Sequence, residues 1–162
     1  MASVLAPIRF VHGDATAPEG HGPRIVAHVC NDIGAWGRGF VLALSRRWAQ
    51  TEAAYREWHA AGPEAGFLLG GVQFVQVEPS VWVANMIGQH GIRRSTSGPP
   101  IRYEMLAECL ARVADKAREL GASVHMPRIG CGLAGGDWSR VERLVQGSLS
   151  ERGVPVTVYD FV

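Results

Sequence analysis

Apolar positions along this chain recur at two periods, and the switches between them mark out its elements. Ile8 to His12 reads as a short strand. Ile25-Val26-Ala27-His28-Val29 reads as a second strand, its nearly unbroken apolar run suiting an interior place in a sheet. A helix is expected from Phe40 to Trp48 and another from Thr51 to Ala61, with Thr51 as N-cap and Gly62-Pro63 as the stop. Gly71 to Glu78 and Val81 to Ile87 follow as strands joined by Pro79-Ser80, a link short enough for a hairpin. The stretch from Gly88 to Pro100 has no apolar period, and loops of that length in a compact domain are often functional.

The clearest helix spans Ile101 to Leu120. Leu106, Leu110, Val113, Ala117 and Leu120 share one face, Glu108 and Arg112 pair across a turn on the other, and Gly121 suits the position after the C-cap. A strand from Ser123 to Met126 leads into a second glycine-rich stretch, Ile129 to Gly136. The last helix buries Val141, Leu144, Val145 and Leu149, with Ser139 and Glu142 at capping-box spacing. Pro155 to Phe161 closes the chain as a strand. Strands and helices in alternation, with one hairpin, imply an α/β fold with a mixed sheet covered by helices on both faces. No repeat or linker divides it, so the 162 residues are expected to form one domain.

Composition narrows the function. A content of 47% hydrophobic and 19% charged residues is ample for a self-sufficient core. Sixteen Lys and Arg against fifteen Asp and Glu leave a net charge of +1, which argues against general nucleic-acid binding. Any phosphate recognition must therefore rest on local backbone donors. Cys30, Cys109 and Cys131 form no CxxC and no metal-ligand pattern with the six histidines, the mark of free thiols in a reducing cytosol. The N-terminal MASVLAPIRFVHGD lacks the charge and apolar run of a signal peptide, and nowhere do roughly 18 apolar residues run together. A soluble cytoplasmic domain with no membrane partner is expected.

Two segments carry the chemistry. Asn31-Asp32-Ile33-Gly34-Ala35-Trp36-Gly37-Arg38-Gly39-Phe40 and Ile129-Gly130-Cys131-Gly132-Leu133-Ala134-Gly135-Gly136 each follow a strand and open a helix. Glycine permits sharp turns and close approach of N–H groups to an anion, and a helix N-terminus adds unsatisfied donors. Two such loops suit a diphosphate. Gly130, Gly132 and Gly135 also spell GxGxxG, the dinucleotide fingerprint, with Asp160 at about the required distance. Against it, only one strand's worth of chain follows, leaving no second nucleotide-binding half.

IVAHVCNDIGAWGRGF, followed much later by MPRIGCGLAGGDW and a closing VTVYDF, resembles the macrodomain family over nearly the whole chain. More narrowly it is similar to the ALC1-like branch, which includes the terminal ADP-ribose protein glycohydrolase. The resemblance implies a three-layer α/β/α macrodomain with ADP-ribose in a cleft at the strand ends, and mono-ADP-ribosylated proteins as partners. Asp14, in the Gly-Asp after the first strand, would accept from the adenine amino group, or else simply form the turn. Gly37, Arg38, Gly39 and Phe40 would line the distal ribose and one phosphate, Arg38 as a flexible phosphate or solvent contact. Ile129, Gly130, Cys131, Gly132, Leu133, Ala134 and Gly135 would wrap the pyrophosphate, with the Cys131 side chain packed beneath. Tyr159 or Phe161 would stack on adenine or belong to the core, and Asn31 would hold the distal ribose hydroxyls or brace its turn.

The implied activity is hydrolysis of ADP-ribosyl esters, with a non-catalytic ADP-ribose reader or an ADP-ribose 1″-phosphate phosphatase as the alternatives, and two positions depart from that glycohydrolase. Its lysine after the mid-chain strand falls near Gln89 here, and its aspartate after Gly-Cys-Gly-Leu is Ala134. Water, rather than a lysine, is thus the expected nucleophile, with no metal or cofactor required. Asp137 is the carboxylate nearest the second loop, either a general base or a helix-capping residue. His90, in the long loop, has an intrinsic pKa suited to acid–base work or is a solvent-facing loop residue.

Overall fold

The computed structural model describes residues 5–96 and 98–161, so the first four residues of the N-terminal reading lie outside it. Strands β1 (Ile8–His12), β2 (Arg24–Asn31), β3 (Val72–Glu78), β4 (Val81–Gln89), β5 (Ser123–Met126) and β6 (Val156–Asp160) alternate with helices α1 (Phe40–Arg47), α2 (Gln50–Ala61), α3 (Tyr103–Leu120) and α4 (Trp138–Ser148). The strands form one sheet in the order β1-β6-β5-β2-β4-β3. Every neighbouring pair is parallel except β3 and β4, the expected hairpin.

The pleat of β2 sorts its side chains between two apolar cores. Ile25 and Ala27 pack with Met86, Leu106, Leu110 and Val141 on the α3/α4 face. Val26 and Cys30 pack with Val83, Leu44, Tyr55 and Trp58 on the α1/α2 face. The chain therefore leaves β2 toward one face and leaves β5 toward the other. These neighbours pair only through Arg24, Ile25 and Val26 against Ser123, Val124 and His125, so the upper half of β2 lacks a partner on that side. Such a reversal of connections opens a crevice beyond the carboxyl ends of the strands. The sequence-level α/β/α expectation is met.

Two rows of polar groups cross the sheet beneath the crevice. His28, Asn85 and Gln73 stand opposite one another on β2, β4 and β3. Gln73 Nε2 donates to the Ala54 carbonyl of α2 at 2.9 Å, and Asn85 Nδ2 donates to Gln73 Oε1 at 3.0 Å. Asn85 Oδ1 is left to accept from His28 Nε2 at 2.5 Å. A carbonyl can only accept, so the row has one polarity and His28 carries its proton on Nε2. In the second row His125 joins Ser123 Oγ and Tyr159 Oη, each at 2.7 Å, and Tyr159 Oη accepts from the Glu19 N–H at 2.9 Å.

Several expected details differ. Thr51 does not cap α2: the N-cap is Ala49, and Thr51 Oγ1 lies buried inside the first turn with no partner among the described residues. Ser139 and Glu142 form no capping box, because Asp137 is the N-cap of α4 and accepts from Ser139 N. The long helix begins at Tyr103, since Ile101 bridges to Gln89 and Arg102 is extended. Leu144 is only half-buried.

Burial pushes the pKa of both His28 and His125 down to about 4, the latter helped by the charges of Arg24 and Arg9. Their folded values lie below the ordinary one, so between about pH 6.5 and 4 the unfolded chain binds more protons. The stability contributed by the neutral rings is full above that window and is lost as pH falls through it. The expected loss is up to about 3 kcal/mol per histidine between pH 7 and pH 4. Denaturant unfolding across that range checks it, and a flat profile down to pH 4.5 contradicts it.

Candidate functional site

The crevice is a cleft of about 480 Å³, walled by the 31–41 segment after β2, residues 127–134 after β5, and residues 89, 92 and 93 after β4. That volume is within the roughly 300–1,000 Å³ usual for small-molecule sites. His28, Val29 and Cys30 form its floor.

The first wall is held from below. Asn31 Oδ1 accepts from the N–H groups of Ile33 at 3.1 Å and Ala35 at 3.0 Å, while its Nδ2 donates to the Ala35 carbonyl at 2.6 Å. The Tyr55 hydroxyl donates to the Asn31 carbonyl at 2.7 Å and lies 3.0 Å from its Oδ1. Trp36, fixed through Nε1 to Ser45 Oγ at 2.7 Å, covers His28 edge-on. α1 starts at this wall with Gly39 as N-cap, with no side-chain cap and no acidic residue in its first turn. The Leu42 N–H donates to the Gly39 carbonyl at 3.1 Å, while among the described residues the N–H groups of Phe40 and Val41 donate to no protein acceptor and carry the positive end of the helix dipole.

The second wall is a tight loop. Gly136 N–H donates to Gly130 O at 2.7 Å, Gly135 N–H to Gly132 O at 3.0 Å, and Ile101 N–H to Ala134 O at 3.1 Å. Among the described residues, the N–H groups of Gly132, Leu133 and Ala134 donate to no protein acceptor. Gly130 has φ +73°, and a Cβ there would run into Ile101. Gly37 and Gly132 are different: neither has positive φ, and a Cβ on either would meet nothing. Nothing in the protein itself demands glycine at these two positions, and the open space beside them leaves the backbone accessible from the cleft.

Three guanidinium groups face the cleft. Arg128 is committed, donating to Asp160 at 2.7 and 3.0 Å and lying over the rings of Phe10 and Trp138. This pairing holds the Asp160 carboxyl below its usual range. Arg38 and Arg93 are exposed and make no ion pair among the described residues. At the β4 end, Asp32 Oδ1 accepts from Gly91 N–H at 2.8 Å, Asp32 Oδ2 lies 2.6 Å from His90 Nδ1, and Gln89 Nε2 donates to Gly91 O at 2.9 Å. No three His, Cys, Asp or Glu among the described residues gather to hold a metal ion, and no helix is long and apolar enough to cross a membrane.

The cleft brings together Asn31, Gln89 and residues 37–40, 129, 130 and 132–134. Asn31 lines it, but its amide braces the loop, because its hydrogen bonds go to Ile33 and Ala35 of its own loop and to the Tyr55 hydroxyl. Asp14 stands apart, with Oδ1 accepting from Thr16 N at 2.8 Å and Thr16 Oγ1 at 2.7 Å. Tyr159 is 4% exposed and lies under Gly13 with its hydroxyl engaged, so its ring is not free to stack, whereas Phe161 is 81% exposed. Cys131 packs against the core with its thiol on the Ile129 carbonyl, and burial raises its pKa, the reverse of an activated nucleophile. Asp137 lies outside the lining, its Oδ1 committed to Ser139 N at 3.0 Å and Ser139 Oγ at 2.9 Å. His90 flanks the lining without joining it.

Sequence reading missed His28, Trp36, Ile92, Arg93 and Arg128 in the walls, and Asp32 behind them. A histidine inside an apolar strand was a usable signal for His28, since such a ring must find a buried partner. The contrast between glycines yields an expected outcome. Gly130→Ala should lower the melting temperature by roughly 3–8 °C, from a left-handed backbone cost of about 1–2 kcal/mol. Gly132→Ala should leave it within about 1 °C. Thermal denaturation of both variants checks the pair, and equal losses contradict it.

The Macro domain family matches residues 27–145 of this chain. A macrodomain protein from Streptomyces coelicolor is 62% identical, with a TM-score of 0.86 over 95% of this chain and 99% of that one. A protein of unknown function from Bacteroides thetaiotaomicron is 52% identical, with a TM-score of 0.93 over 97% of this chain and 99% of that one. Chromodomain-helicase-DNA-binding protein 1-like from Mus musculus is 33% identical over 95% of this chain, which spans only 18% of that protein's length. The fold, the two glycine walls and these likenesses agree, and the chain belongs to the macrodomain family.

Proposed function

We propose that the cleft binds ADP-ribose and that the protein hydrolyses ADP-ribosyl esters, removing mono-ADP-ribose from glutamate and aspartate side chains of modified proteins. The observation that carries this reading is the facing of two sets of undonated backbone N–H groups across one cleft. They lie at residues 132–134 and at Phe40 and Val41 of α1, both lining the cleft, and backbone donors of this kind suit a diphosphate. Likeness to Chromodomain-helicase-DNA-binding protein 1-like supports the ALC1-like branch. O-acetyl-ADP-ribose presents the same ribose ester and is a second substrate on this reading.

In the proposed pose, adenine lies toward the end of β6, where Asp14 accepts from its amino group and Phe161 supplies a stacking face. The distal ribose lies toward Gly37–Phe40 and Gln89, near His90. Water is the nucleophile. Gln89 Oε1, which accepts no protein hydrogen bond among the described residues, orients it. Asp137 has one carboxylate oxygen spent on its helix cap, which weights the chemistry toward the Gln89–His90 end.

Two measurements check the binding half. Asp14→Ala should weaken ADP-ribose binding by about 1–3 kcal/mol in calorimetry through the lost adenine contact. Gly132→Ala, with folding intact, should weaken it by roughly tenfold or more, about 1.4 kcal/mol. Unchanged affinity in either variant removes that contact from the pose. For the catalytic half, incubation with a glutamate-linked mono-ADP-ribosylated protein should release free ADP-ribose over time. Binding without release makes the protein an ADP-ribose reader instead.

A further inference from the structure

We propose that Asp32 and His90 form a carboxylate–imidazole pair that acts as the general base of this hydrolysis, with Asp32 as the positioning residue. The inference rests on the hydrolase reading above and adds to it the group that takes water's proton.

The geometry fixes the roles of the two side chains. Both Asp32 oxygens are used, Oδ1 by the Gly91 N–H at 2.8 Å and Oδ2 by His90 Nδ1 at 2.6 Å. A carboxylate only accepts, so Nδ1 carries the shared proton and the Nε2 lone pair of neutral His90 is free. The Asp32 side chain is 16% exposed and that of His90 62%, so the orienting member is sheltered and the proton acceptor is accessible. Asp32 also follows Asn31, whose amide and carbonyl are locked to the loop and to Tyr55. The pair thus ties the end of β2 to the end of β4, beside Asn31 and Gln89, which both line the cleft. A base within reach of solvent, oriented by a third group, is the arrangement that nucleophile activation needs.

No other titratable group nearby is as well placed. His28 is at the floor, but its Nε2 is engaged by Asn85 and its ring is covered by Trp36 and Phe40. Asp137 caps α4, and burial raises the Cys131 thiol pKa. In the step itself, water's oxygen bonds to the acyl carbon of the ester as one water proton passes to His90 Nε2. The bond from that carbon to the ribose oxygen then breaks. The proton passes from Nε2 to the departing oxygen, leaving a free carboxylic acid and ADP-ribose.

The experiment compares the wild type with His90→Gln, Asp32→Asn and the double variant. It reads kcat on a glutamate-linked mono-ADP-ribosylated protein, ADP-ribose affinity by calorimetry, and the His90 tautomer by ¹⁵N NMR. Each single substitution is expected to lower kcat by about 100-fold or more. The double variant should be no slower than the slower single one, because the two act as a unit. ADP-ribose affinity should stay within about threefold, which a merely structural staple would not leave untouched. Asp32→Asn should also abolish the preference of His90 for the Nδ1–H form. A wild type that hydrolyses the ester and single variants within threefold of it overturn the pair's role alone. Equal tautomer populations in the wild type do the same. A wild type that binds ADP-ribose without releasing it from protein overturns the hydrolase reading, and the base role with it.

Discussion

The site depends on one constraint in the sheet: β2 and β5 are neighbours for only three residues, and the chain leaves them toward opposite faces. A continuous ladder there would close the sheet. Instead the upper half of β2, from Ala27 to Asn31, borders open space on its β5 side. Every wall of the cleft follows from that opening. The 31–41 segment turns away toward α1 and α2, and the 127–136 segment turns away toward α4. Both bring backbone N–H groups to the same gap. Glycine is required at Gly130 by backbone conformation, whereas at Gly132 the space beside the backbone is open.

Below the gap the protein is rigid in a particular way. The His28–Asn85–Gln73 row ends on a helix carbonyl, and that end sets the proton position at the other. Trp36 sits on His28, and Tyr55 holds Asn31, so the first wall is continuous with the α1/α2 core. At the β6 end, His125 and Tyr159 reach through Glu19 N–H to the loop that carries Asp14. Both walls are held by hydrogen bonds, the first by the buried Tyr55 hydroxyl on the Asn31 carbonyl and the second by the Gly136 N–H on the Gly130 carbonyl. A ligand therefore meets donors that are already in place, and less ordering entropy opposes its binding.

Much of this was legible in the chain. The strand–glycine loop–helix sequence at Asn31 to Phe40 and Ile129 to Gly136 identified both walls, because local backbone demands are written in local residues. What was hidden depends on register or on distant pairing. Asn85 and Gln73 mean nothing as isolated polar residues until β2, β4 and β3 align them with His28. Asp32 and His90 are separated by two whole helices and a hairpin, and the parallel pairing of β2 with β4 brings them together. Tyr159 could be assigned to adenine or to the core from sequence, and its hydroxyl partners, remote in sequence, decide for the core. Thr51 and Ser139 were plausible caps by spacing, but in each helix the N-cap lies two residues earlier, which makes each a first-turn residue.

The measurement that bears most directly on the central claim is the structure of the protein with ADP-ribose bound at saturation. The expected result places the diphosphate in the gap between β2 and β5. Its oxygens should lie about 3 Å from N–H groups of residues 132–134 on one side and from those at the start of α1 on the other. A diphosphate bound outside that gap, or held by Arg38 and Arg93 with those amides unengaged, contradicts it.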